Sequence, residues 1–142
     1  MLLNYLLSWL LVLPALGIGV LCFIRDRETA SRIALASTLL TFGLSIVIWM
    51  QFDFAKAGMQ FVERFELMPT LKVQYALGID GISLLMVILT TLLTPIAILC
   101  SWKTVKTNQH VFMILILLLE TATLGVFLSL DLVFFYFFWE LT

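Results

Sequence analysis

No basic residue precedes Arg25, no Lys or Arg falls within any of the long apolar runs, cysteine occurs twice and histidine once. The first absence argues against a cleaved leader. The opening apolar run, residues 3–24, has no positive n-region before it and no small-x-small cleavage site ahead of Arg25, so it reads as a retained helix. The second absence leaves any acid inside an apolar run without a cation from this chain at the same depth. Cys22 and Cys100 form no close-spaced pair and have no ligand cluster around them, so both read as small buried hydrophobes. His110 stands alone at a helix start and reads as an interfacial residue rather than a metal ligand. Nothing in this set offers to hold a haem, a flavin or an iron–sulfur cluster, and a net charge of −1 carries no message about nucleic acid or acidic partners.

What is abundant is apolar surface. The 142 residues are 63% hydrophobic and 12% charged, with a mean hydropathy of +1.14, which excludes an ordinary soluble domain. The eight Lys and Arg, at positions 25, 27, 32, 56, 64, 72, 103 and 106, leave apolar stretches of about 20 residues, the length of a spanning helix. Backbone groups in lipid must be satisfied within their own segment, so the expected fold is all-α: a polytopic integral-membrane helix bundle forming a single domain, residues 1–142. Four complete spans are expected at about 3–24, 33–52, 81–101 and 111–129. A fifth starts at 132 and covers only about 18 Å by Thr142, against a hydrocarbon core of roughly 30 Å. Either a longer protein continues from here or another segment completes the bundle.

Residues 25–32 and 102–110 make two short basic loops on one side. The longer loop, residues 53–80, balances Lys56, Arg64 and Lys72 with Asp53, Glu63, Glu66 and Asp80. The positive-inside rule puts the short loops in the cytoplasm and the N-terminus outside. In the outer loop Leu71, Val73, Tyr75 and Leu77 alternate with Lys72, Gln74 and Ala76 after a turn at Met68-Pro69-Thr70, a short strand pattern. That strand either straps over its own bundle or pairs with a neighbour. Asp80 and Asp131 stand where helix N-caps belong.

The polar residues inside the runs are few and patterned. Ser83, Thr90, Thr94 and Ser101 fall within roughly 40° of arc on the third span, a face that is either a hydrated groove or a packing seam of hydroxyls bonded back to their own helix. Pro95 lies in the same helix, where a kink is expected. Ser37, Thr41 and Ser45 make a close-packing row on the second span. Two acids remain. Glu120 lies near the middle of the fourth span beside Thr121 and Thr123, and Glu140 follows the apolar run 132–139. A carboxylate at membrane depth costs at least a few kcal/mol unless protonated, paired or wetted, so both are candidate functional residues. Each is ten residues from Leu130, at the centre of a tight connection, so a helical hairpin sets them at matching depth. They either hand on a proton or face different neighbours. A cation for Glu140 has to come from beyond Thr142 or from another chain.

The string Tyr75-Ala76-Leu77-Gly78-Ile79-Asp80-Gly81-Ile82-Ser83-Leu84, and the stretch from Gly125 through Ser129-Leu130-Asp131 to Phe138-Trp139-Glu140-Leu141-Thr142, resemble one family. It is the antiporter-like chain M, or mitochondrial-type chain 4, family of proton-pumping NADH:quinone oxidoreductase, respiratory complex I. The resemblance runs over the whole chain but covers only the front of such a subunit. It implies an antiporter-like fold of about fourteen helices with two inverted repeats of five. It also implies a non-redox membrane subunit in a bacterial inner (plasma) membrane, with NAD, FMN, iron–sulfur clusters and quinone in partner subunits. In the family a fifth-helix glutamate pairs with a lysine on a later helix and gates a proton half-channel. Glu140 matches that glutamate, and the lysine belongs to the missing C-terminal part. Glu120, read from its place in the fourth span rather than from the resemblance, is expected as an auxiliary proton site. Family members commonly carry Trp where this chain has Met68. The rival readings are a subunit of a cation/proton antiporter and an inactive truncated structural fragment. Neighbouring genes for NADH- and quinone-binding subunits, and extension of the reading frame past Thr142, separate them.

Overall fold

In the computed structural model the described residues are 5–56, 58–68, 73–105 and 107–142. They form α1 (Leu6–Leu21), α2 (Arg27–Gln51), β1 (Gln60–Met68), β2 (Val73–Ile79), α3 (Gly81–Ser101), α4 (Gln109–Leu128) and α5 (Leu132–Leu141). This is a multi-pass helical membrane protein: α2, α3 and α4 are each long and apolar enough to cross a bilayer, while α1 and α5 are shorter apolar helices. α1 packs against α2 and α4, α2 against α3 and α4, α3 against α4, and α5 against α4.

The helix starts follow capping chemistry rather than hydropathy. Asp26 accepts from the Thr29 N–H at 2.9 Å, so α2 begins six residues ahead of the apolar run expected from residue 33. A charged first turn lowers hydropathy but leaves the helical hydrogen bonds intact, and the Glu28–Arg32 pair at 2.5 Å adds an i, i+4 contact. Asp80 accepts from the Ser83 N–H at 2.7 Å, and Asp131 from the N–H groups of Val133 and Phe134 at 2.9 and 3.3 Å. Both aspartates therefore cap helices, as their positions suggested. α3 continues through Pro95 to Ser101.

The second-helix row is a seam. Ser37, Thr41 and Ser45 are buried, Ser37 donates across to the Leu13 carbonyl at 3.1 Å, and the hydroxyls of Ser45 and Thr91 lie 2.9 Å apart, joining α2 to α3. Gly17 permits this approach, because a Cβ there would sit 2.6 Å from Ser37 Oγ. Cys22 and Cys100, expected to be buried, are exposed. Both face away from the bundle, where a small apolar side chain meets acyl chains as readily as protein.

The long loop, residues 53–80, adds a sheet to the expected all-α architecture. β1 and β2 pair antiparallel, with Glu63 opposite Leu77 and Phe65 opposite Tyr75. The alternation before Gly78 marked the second strand, whereas the charges of β1 hid the first. Of the expected turn, Pro69 and Thr70 lie outside the described residues, as do Leu71 and Lys72. The hairpin is strapped over its own bundle. The Leu130 N–H donates to the Ala76 carbonyl at 2.8 Å, and Gly78 lets the Leu130 side chain close on the strand, since a Cβ there would lie 2.6 Å from its Cδ1. At the other end Glu63, 4% exposed, accepts from the Leu7 N–H at 2.8 Å, the Ser8 N–H at 3.2 Å and the Ser8 hydroxyl. The Ser8 hydroxyl lies 2.9 Å from the Tyr75 hydroxyl, and burial raises the Tyr75 phenol above its ordinary value. The N-cap residue of α1, Tyr5, supplies no side-chain cap, so the hairpin satisfies the Leu7 and Ser8 N–H groups from 56 and 55 residues away.

Two apolar clusters result. One, toward the hairpin, centres on Leu7, Leu10, Ile48, Leu77, Leu84 and Leu124; the other, toward the short loops, on Leu21, Ala30, Ala34, Ile98, Met113 and Leu117. At the short-loop end the Gln109 side chain donates to Ser31 Oγ at 2.7 Å and to the Trp102 carbonyl at 3.0 Å, while Arg27 donates to Gln109 and to the Val105 carbonyl at 3.1 Å.

Candidate functional site

Glu120 lies on α4 between Leu117 of one cluster and Leu124 of the other, so its carboxyl falls in the layer where the two apolar regions meet. It is 1% exposed, and neither carboxyl oxygen has a hydrogen-bond partner among the described residues. A buried polar group without a partner costs free energy, and a buried charge costs much more. Two ordinary ways of offsetting that cost are a cation and a set of donors, and the described surroundings supply neither.

What they supply is a cavity of about 270 Å³ at the α3–α4 seam. Thr90 and Thr94 from α3 and Glu120 and Thr123 from α4 give its polar lining, and aliphatic side chains complete it. The sequence left the polar stripe of α3 open between a groove and a packing seam; the structure divides it. Thr90 and Thr94 line the cavity, yet their hydroxyls donate to the carbonyls of Met86 and Thr90 at 2.8 and 2.9 Å. Ser101 bonds back to the Ala97 carbonyl at 2.7 Å and takes no part in the cavity lining.

Glu140 is placed differently. It lies eight residues into α5 from Leu132, and Glu120 lies eight residues before the end of α4 at Leu128, about 12 Å along each helix, so the expected matching depth along the hairpin is retained. The two do not share a site. Phe138 meets α4 at Gly125, where a ring and a Cβ could not coexist, and Phe134 stacks edge-on to Tyr75 at 5.4 Å. That fixes the inward face of α5, and at about 100° per residue Glu140 points well away from it. Glu140 is exposed and is absent from the walls of the Glu120 cavity.

Sequence reasoning named Glu120, Glu140 and Thr123 but missed Glu63, counted only as one charge in the long loop. An apolar helix beginning without a capping side chain was the available signal. No group of three or more His, Cys, Asp or Glu is arranged to hold a metal among the described residues.

Residues 7–126 match the family described as NADH-ubiquinone oxidoreductase chain 4, amino terminus. The chain is 42% identical over 136 residues to NADH-ubiquinone oxidoreductase chain 4 of Arabidopsis thaliana, covering 94% of this chain and 28% of the relative. It is 38% identical over 145 residues to NADH-quinone oxidoreductase subunit M of Escherichia coli, covering 96% and 28%. It is 37% identical over 135 residues to F(420)H(2) dehydrogenase subunit M of Methanosarcina mazei, covering 95% and 27%. The chain thus spans little more than a quarter of the length of these curated relatives.

Proposed function

This chain belongs to the family of NADH-ubiquinone oxidoreductase chain 4, and on that premise we propose that it forms part of a non-redox membrane subunit of NADH:quinone oxidoreductase that takes part in proton translocation. The observation that carries this reading is Glu120, a fully buried carboxyl in the middle of a membrane helix with no charge partner among the described residues. Such a group is expensive to keep charged, and an ionisable residue at membrane depth is by default a candidate for function. Glu140 is the protonatable gate, on a helix whose outward face is open to further segments of the protein, and Glu120 is an auxiliary proton site. An intramembrane lysine from the C-terminal part supplies the cation for Glu140. NAD, FMN, the iron–sulfur clusters and quinone belong to partner subunits of the same complex.

The accompanying architecture is the N-terminal part of an antiporter-like fold. Residues 1–142 form one membrane domain with four complete spans and the start of a fifth, the N-terminus outside and the two short basic loops in the cytoplasm of a bacterial inner (plasma) membrane. The clustering of Arg25, Arg27, Arg32 and Lys103 at the short-loop end of the bundle supports that orientation. The hairpin then lies on the outer face.

A second reading has its own support. The Methanosarcina mazei relative is a subunit of F(420)H(2) dehydrogenase, and its identity to this chain is close to that of the NADH-quinone oxidoreductase subunit. The electron donor of the complex containing this chain is then reduced F420 rather than NADH, with the membrane role unchanged. Inverted membrane vesicles test both readings. Disruption of the gene should abolish donor-driven vesicle acidification, and the complete subunit should restore it; the donor that drives acidification separates the two. Acidification that survives disruption refutes both.

A further inference from the structure

The cavity beside Glu120 has a chemical bias that follows from its hydroxyl groups. A threonine hydroxyl carries one hydrogen and two lone pairs. At Thr90, Thr94 and Thr123 the hydrogen goes to a carbonyl of the same helix, on Met86, Thr90 and Leu119, at 2.8, 2.9 and 2.7 Å. Only lone pairs remain for the cavity. The rest of its wall is aliphatic, from Leu93, Ala97, Ile116 and Leu119, and among the described residues no Lys, Arg, His, Asp or second Glu lines it. An ionised carboxylate is acceptor-only and finds no donor there, whereas a neutral carboxylic acid leaves no buried charge to be compensated.

We propose that Glu120, buried beside this α3–α4 cavity, is a proton-binding site held as a neutral carboxylic acid by donor-free surroundings. It deepens the reading of Glu120 as an auxiliary proton site and rests on that reading for its place in translocation. It is separate from Glu140, which points away from α4 and does not line this cavity. The mouth of the cavity lies on the side of the bundle, where Leu93 and Leu119 are half exposed, so it faces the hydrocarbon phase or a further helix rather than either aqueous loop.

A hydrophobic carbodiimide tests for such a group. The acid transfers its proton to a carbodiimide nitrogen, the carboxylate oxygen adds to the central carbon, and the acyl group migrates to nitrogen, giving a stable N-acylurea with nothing released. Membranes holding the complete subunit in its complex are treated with dicyclohexylcarbodiimide at neutral pH, and the adducts are mapped by mass spectrometry. Infrared spectra of the purified complex are compared for wild type and Glu120→Gln, a near-isosteric change. The proposal expects an adduct on Glu120, none on the exposed Glu28, and loss of a carboxylic-acid C=O band in the Gln variant. A carboxylic-acid region unchanged by Glu120→Gln overturns the proposal whether or not the reagent reaches the site. Protection of Glu120 by NaCl at fixed pH overturns it too, because the cavity would then be a cation site. Neither readout involves pumping, so a failure of the translocation role would be seen separately.

Discussion

Replacing Glu63 by Ala removes the one side chain that, among the described residues, closes the N-terminus of α1. In the structure its carboxylate receives the Leu7 N–H at 2.8 Å, the Ser8 N–H at 3.2 Å and the Ser8 hydroxyl, in a site where Glu63 is 4% exposed. Loss of an N-cap costs about 0.5–2 kcal/mol, and hydrogen bonds to a charged acceptor are worth about 1.5–3 kcal/mol each, though not additively. Leu7 N–H is buried and is left without its acceptor, whereas Ser8 is only partly buried and can turn to water. The expected destabilisation is about 2–4 kcal/mol. Denaturant titration of the complete subunit in detergent should show it, and amide exchange should localise it. Leu7 and Ser8 should exchange roughly thirtyfold faster or more, since each 1.4 kcal/mol is about tenfold. Glu63→Gln keeps one carbonyl oxygen and should lose about half as much. A double-mutant cycle with Ser8→Ala should return a coupling of about 1 kcal/mol. A loss under about 0.5 kcal/mol, with exchange at Leu7 unchanged, would refute the idea that the hairpin caps the helix.

Three further outcomes follow from the geometry. Gly125→Ala places a methyl group where the Phe138 ring sits, so α5 should shift on α4, with a loss of about 1–3 kcal/mol in stability and reduced proton translocation, read in vesicles of the variant complex. Hydrogen bonds from Ser83 to its cap hold the Asp80 carboxyl below its ordinary value. The stabilisation is therefore complete above about pH 4, the unfolded-state range, and is lost as pH falls through the lower folded value. Asp80→Asn should preserve the cap but flatten that acid limb in pH-dependent unfolding. Gly78→Ala should separate the hairpin from the α4–α5 turn, lowering protection of the Leu130 N–H in amide exchange by about tenfold.

The features legible in the sequence are those set by short-range chemistry. Apolar runs of about 20 residues located the long helices, and aspartates at 80 and 131 marked two helix starts because capping acts over three residues. The Ser37, Thr41 and Ser45 row was readable because a 3.6-residue period puts all three on one face. Long-range pairings were not legible. Glu63 looked like an ordinary loop charge because its donors stand 55 and 56 residues away. The charged β1 strand resembled solvent-exposed loop until its partner Val73–Ile79 was in place. Likewise, equal spacing from Leu130 set the depth of Glu120 and Glu140 but left their rotation open. The closure of Phe138 on Gly125 supplies that rotation and turns the two acids to different neighbours.

The proposed role of Glu140 as a proton gate in the complete subunit is tested most directly by the proton-to-electron ratio of its variants. In reconstituted vesicles Glu140→Gln should abolish or strongly reduce the protons moved per electron pair, while Glu140→Asp, which still titrates, should be milder. A Gln variant that pumps with the wild-type ratio would contradict the account.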